Sequence, residues 1–219
     1  MSKAGRHFLQ IPGPSPVPEA VLAATARQVI DHRSPEFGEL GREVLSKVRK
    51  IFKTQHDVVI YPASGTGAWE AALSNALSPG DKIITYETGH FASLWAKLAT
   101  RIGLVPVTVG ENWRAGVDPD AIEDALRKDV NREIKAVCVV HNETSTGSTT
   151  LVKEVRDAID AAGHPALLMV DSISGLASAD LRMDEWGIDV VIAGSQKGLM
   201  LPPGLSFNAV GPRALAASK

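Results

Sequence analysis

Apolar residues in this chain come in short blocks of two kinds. Runs such as Ala136-Val137-Cys138-Val139-Val140, Ala166-Leu167-Leu168-Met169-Val170 and Val190-Val191-Ile192-Ala193 are apolar at every position. Between them lie longer stretches, 119–128 and 152–162 among them, where apolar residues recur every three or four positions. Continuous runs mark strands covered on both faces, and the wider spacing marks amphipathic helices. The pattern predicts strands over 82–85, 105–109, 136–140, 166–170, 190–193 and 207–210. It predicts helices over 19–28, 36–52, 67–77, 92–101, 119–128 and 152–162, with a short turn or helix at 183–187. Asp118 and Pro119 supply a cap and first residue for one helix, and Ser78-Pro79-Gly80-Asp81 reads as a turn.

Alternating strands and helices predict an α/β fold with a mostly parallel sheet sandwiched by helices. Ile11-Pro12-Gly13-Pro14-Ser15-Pro16-Val17-Pro18 cannot enter a regular helix or a central strand. Residues 1–18 therefore read as an N-terminal extended arm, and 19–219 as one large domain. Only residues 211–219 follow the last predicted strand, so the sheet is expected to be incomplete.

Composition changes this picture little. Of 219 residues, 44% are apolar and 22% charged, as in ordinary globular proteins. With 23 basic and 25 acidic residues, a net charge of −2 and no basic block, neither nucleic acid nor an anionic membrane is an expected partner. No apolar run is long enough to span a bilayer, and the first residues lack the apolar core of a signal peptide. The expected location is the cytoplasm, with an organelle matrix as the alternative. Cys138, the single cysteine, lies in a predicted strand and reads as a core thiol, which leaves no intrachain disulfide or cysteine-based metal cluster. His32, His56 and His164 show no metal-ligand spacing, and no metal site is expected.

Ligands of open α/β sheets bind at the carboxyl ends of the strands, so polar residues that follow strands are the candidates. Ala63-Ser64-Gly65-Thr66-Gly67 leaves backbone N–H groups bare at a helix start, which suits a phosphate or simply a capped turn. It has neither the Walker ending nor the GxGxxG spacing. Asp171 follows the strand 166–170 and is a base, a ligand, a partner for a protonated nitrogen, or a cap. His141-Asn142-Glu143-Thr144-Ser145-Thr146-Gly147 offers hydroxyls and an amide to a ligand, or bonds to itself.

Lys197, beside Gln196, stands in a stretch otherwise almost free of charge. Either it snorkels to the surface, or burial disfavours its ammonium form and leaves an amine able to attack carbonyls. A lysine for an aldehyde, an acid for a pyridinium nitrogen and a phosphate cup together match pyridoxal 5′-phosphate. A nucleotide-binding protein built on the Ser-Gly-Thr-Gly turn is the competing reading, and it leaves Lys197 without a role.

Several motifs carry a family resemblance: Pro12 to Pro18, Asp31-His32-Arg33-Ser34-Pro35-Glu36-Phe37, Tyr61-Pro62 with the turn to Gly67, His141 to Gly147, Val170-Asp171-Ser172-Ile173-Ser174, and Gly194-Ser195-Gln196-Lys197-Gly198. In this order the chain resembles the class V aminotransferases among the fold-type I pyridoxal phosphate enzymes, with most likeness to the serine–glyoxylate and alanine–glyoxylate types. The resemblance implies transamination from serine or alanine to glyoxylate by a homodimer. It implies a phosphate turn at Ser64, Gly65 and Thr66, an aromatic ring at Phe91 on the cofactor, and Ser145 and Thr146 facing the ring and its 3-oxygen. Asp171 would pair with the pyridinium, Gln196 would hydrogen-bond the cofactor, and Lys197 would form the Schiff base and carry the proton. Pro12 and Gly13 would approach the substrate.

A related lyase, or a silent homologue that only pairs with a full-length subunit, remains the alternative. A cysteine desulfurase is disfavoured because Cys138 sits in a strand. The resemblance also implies a chain nearly twice as long, whose smaller C-terminal domain holds the arginine that grips the substrate carboxylate. From these 219 residues alone, weak cofactor binding and no sustained turnover are expected.

Overall fold

The computed structural model describes residues 9–219. Its helices are α1 (Glu19–Thr25), α2 (Pro35–Phe52), α3 (Gly65–Ala76), α4 (His90–Arg101), α5 (Pro119–Lys128), α6 (Val152–Ala161) and α7 (Pro212–Ala217). Its strands are β1 (Asp57–Tyr61), β2 (Lys82–Glu87), β3 (Val105–Glu111), β4 (Ile134–Val140), β5 (Leu167–Asp171), β6 (Val190–Gly194) and β7 (Ser206–Val210). They form one sheet in the order β1-β7-β6-β5-β4-β2-β3. The pairs among β2 to β6 are parallel, whereas β7 runs antiparallel to both β1 and β6. Only β7 opposes the common strand direction, because a loop without a crossover helix returns the chain from β6.

The fully apolar runs are explained by two cores, one on each face. Val137, Val139, Leu168, Val170 and Val191 pack with Phe52 of α2, Ile122 and Leu126 of α5, and Val155 and Ile159 of α6. Their neighbours Ala136, Cys138, Leu167, Met169, Val190 and Ile192 face the other way, onto Trp69 and Leu73 of α3 and Trp95 and Ala99 of α4. Successive strand residues point to opposite faces, so a sheet covered twice leaves no polar position in its central strands. Trp69 and Trp95 stack with centroids 5.9 Å apart, joining α3 to α4. Cys138 is buried in this second core.

The predicted elements are present with small shifts of their ends; the first helix stops at Thr25 rather than at 28. Asp118 caps α5 by accepting the Asp120 N–H at 3.1 Å. Two elements were not anticipated. β1 exists by pairing with β7, Asp57 opposite Val210 and Tyr61 opposite Ser206, a partnership set by tertiary contact alone. α7 is short and anchors Ala214 in the second core. The last predicted strand, β7, lies inside the sheet with partners on both sides. Residues 1–8 of the expected arm lie outside the described residues; from 9 to 18 the chain has neither helix nor strand.

Candidate active site

β4, β5 and β6 end together: Val140 pairs with Asp171, and Asp171 with Ile192. Because β1 runs parallel to this group, the turn after it brings the start of α3 to the same edge. A cavity of about 210 Å³ opens there. Its lining includes Ser64, Gly65 and Thr66 from the turn, Phe91 from α4, Asp171 from β5, and Gln196 and Lys197 after β6. The fold thus gathers seven of the residues singled out in the sequence.

Asp171 is 3% exposed and its Oδ1 accepts the Ile173 N–H at 2.8 Å. Burial pushes its carboxyl pKa up to about 7, against the pull of that hydrogen bond and of the Lys197 charge. The Trp69 indole N–H lies near the carboxylate but is not in hydrogen-bonding geometry with it. Lys197 Nζ donates to the Pro12 carbonyl at 3.1 Å. The arm is fastened here by Ser15, whose N–H donates to the Gln196 carbonyl at 2.8 Å and whose hydroxyl donates to the Lys197 carbonyl at 2.8 Å. Gly13 has φ +144°, and a methyl group there would stand 2.5 Å from Lys197 Nζ. Only glycine lets the arm lie against the lysine. Pro12 and Gly13 therefore touch the amine, beside the cavity.

The start of α3 is open to a ligand. Ser64 occupies the N-cap but its side chain makes no capping bond, so the first helical N–H groups keep free donors. Gly65 packs so tightly on Ile173 that an added methyl would sit 2.3 Å from its Cδ1. Gln196 Oε1 is buried and has no hydrogen-bond partner among the described residues.

Ser145 and Thr146 do not line this cavity. Ser145 Oγ donates to Glu143 Oε1 at 2.7 Å, and Thr146 Oγ1 donates to the Thr88 carbonyl at 3.2 Å. Asn142 and Thr144 line it instead, both bonded to Ser174 Oγ at 3.0 Å. Val140, the last residue of β4, lines the cavity too, and Asn142 and Thr144 belong to the polar run that follows it, a signal present in the sequence. Trp69 also lines it and was not singled out, while Ile173 and Ser174, named only as part of the motif at 170–174 and given no role, line it as well. His141 is buried below, its Nδ1 3.0 Å from Ser172 Oγ, and burial lowers its pKa. His164 is structural, bonded to Asp129 Oδ2 at 3.2 Å.

This architecture, with a lysine and a buried acid at one sheet edge, is that of an aminotransferase large domain. The alanine–glyoxylate aminotransferase structure from Nostoc sp. matches it with a TM-score of 0.89 and 29% identity, over 99% of this chain and 56% of that one. The sequence profile of the family described as Aminotransferase class-V matches residues 7–217, and the chain belongs to that family. Serine–glyoxylate aminotransferase of Methylorubrum extorquens is 49% identical over 99% of this chain and 54% of its own. L-aspartate–glyoxylate aminotransferase of Paracoccus denitrificans is 46% identical over 94% of this chain and 52% of its own. The chain thus spans about half the length of the curated relatives it matches.

Proposed function

We propose that this chain is the cofactor-holding part of a pyridoxal-phosphate aminotransferase that moves an amino group from serine, or another small amino acid, to glyoxylate. The observation that carries the reading is the meeting of Lys197 and buried Asp171 in one cavity walled by the open end of α3. The donor set fits the cofactor. The unused Ser64 hydroxyl, Thr66 and the bare N–H groups of α3 would hold a phosphate. Asp171 would pair with the ring nitrogen, and orphaned Gln196 Oε1 awaits a donor. Thr144 is better placed than Ser145 or Thr146 to offer a hydroxyl. When bound, pyridoxal phosphate supplies an aldehyde for amine exchange and a ring that withdraws electrons from the substrate Cα.

The chain's own residues do the rest. A carboxylate kept from water favours a protonated partner, so Asp171 would hold a proton on the ring nitrogen of a bound cofactor. Lys197 would hold the cofactor through Nζ, and the same amine would carry the proton at that atom. Phe91 and Ile173 exclude water from the cavity, while Pro12 and Gly13 confine the amine from the arm side.

We propose as well that the working unit is a homodimer. Phe37, Leu40, Val44 and Ile51 of α2 are 38–47% exposed and recur on one helical face, which suits a second copy.

Borohydride reduction in the presence of pyridoxal phosphate, followed by peptide mass analysis, tests the assignment. A pyridoxyl group is expected on the Lys197 peptide, and its appearance solely on another lysine refutes the assignment.

A further inference from the structure

Glu143 is a carboxylate with 0% exposure, and among the described residues no cation is paired to it in a salt bridge. Burying a charge this way is costly unless hydrogen bonds replace the lost water. Glu143 obtains them from two places. Its Oε1 accepts the Phe91 N–H at 3.3 Å, the Ser145 N–H at 3.1 Å and the Ser145 hydroxyl at 2.7 Å. Its Oε2 accepts the Ala92 N–H at 3.1 Å. Ser145 Oγ in turn accepts the His90 N–H at 2.9 Å. The first three N–H groups of α4, which have no acceptor within the helix, are thus all tied to a loop more than fifty residues away in sequence.

A local cap would have been simpler. The N-cap of α4 is Gly89, which has no side chain to offer, and a methyl there would stand 2.5 Å from Glu143 Cγ. The helix start has been cleared so that the carboxylate can press onto it, where the helix dipole also favours negative charge. Glu143 lies between Asn142 and Thr144, which line the cavity, and it holds the backbone N–H of Phe91, which lines the same cavity.

We infer that Glu143 is the positioning residue that sets the Phe91 ring against the bound cofactor, by fixing the start of α4 to the loop after β4. The inference rests on the reading of the cavity as a pyridoxal phosphate site.

A double-mutant cycle tests it. The dissociation constant of pyridoxal phosphate is measured for the parent chain, Glu143→Gln, Phe91→Ala and the double variant. Glu143→Gln turns one acceptor into a donor facing N–H groups and is expected to weaken binding about tenfold in the parent. In the Phe91→Ala background the same change should alter binding by less than about twofold, because the ring it positions is gone. A simple helix cap would weaken both backgrounds alike, and so would an effect carried through the nearby Asp171. Equal weakening in both, or none in the parent, overturns the inference. Glu143→Asp, which keeps the charge but withdraws it by one methylene, serves the same cycle if the amide variant does not fold. Failure of the parent to bind pyridoxal phosphate at all would instead overturn the reading of the cavity, and this inference with it. Intact cofactor binding without coupling overturns the inference alone.

Discussion

Asp171 illustrates how one residue sets function against stability. An unfolded aspartate titrates near 3.8, whereas burial raises the folded pKa to about 7. Between those values the folded chain keeps a proton that the unfolded chain has released. Stability therefore falls as pH rises through this window, and the full penalty stands above pH 7. At roughly 1.4 kcal/mol per pKa unit, that penalty is on the order of 4 kcal/mol. Asp171→Asn, neutral throughout, removes it. In the absence of cofactor the variant is expected to melt on the order of 10 °C above the parent at pH 8, with the gap closing towards pH 4.5. A gap that does not change with pH would mean that Asp171 is not a buried acid. Its place at a strand end was legible in the sequence. Its burial was not, because that depends on what Trp69 and the turn after β1 bring over it.

At the scale of the element, the turn into α3 decides the phosphate end of the cavity. Alanine favours helices over glycine by about 1 kcal/mol, so Gly65→Ala would stabilise an isolated helix. Here the added methyl would meet Ile173 Cδ1 at 2.3 Å and Cγ1 at 2.7 Å. Overpacking of this kind costs about 1–3 kcal/mol, which outweighs the gain in propensity. The variant is expected to lose thermal stability and, because Ile173 is pushed into the cavity, to bind pyridoxal phosphate more weakly. Tighter binding by dialysis would show that the turn is loose. The sequence marked this turn by its small residues. Ile173, the reason that one of them must be glycine, lies over a hundred positions away.

For the whole molecule, the exposed stripe on α2 sets the expectation. Leu40→Glu with Val44→Glu places two charges on that face, which costs little in a monomer and much in a desolvated interface. Sedimentation should show the parent as a dimer and the double variant as a monomer with a similar melting temperature. A parent chain that sediments as a monomer at micromolar concentration would refute the proposed pairing.

The sequence by itself determined the class of fold, because runs apolar at every position are stable only as strands covered on both faces. It also supplied the chemistry, since an acid and a lysine after such strands share a sheet edge in any parallel arrangement. Tertiary structure alone decided β1, whose existence rests on pairing with β7 about 150 residues later. It likewise decided which hydroxyls of the loop after β4 reach the cavity. Thr144 lines it, while Ser145 serves Glu143 and Thr146 serves the Thr88 carbonyl. The physical reason is the same in both cases. Local pattern records which face of an element is apolar, whereas the partner of each remaining hydrogen bond is chosen by distant residues that only the folded chain brings near.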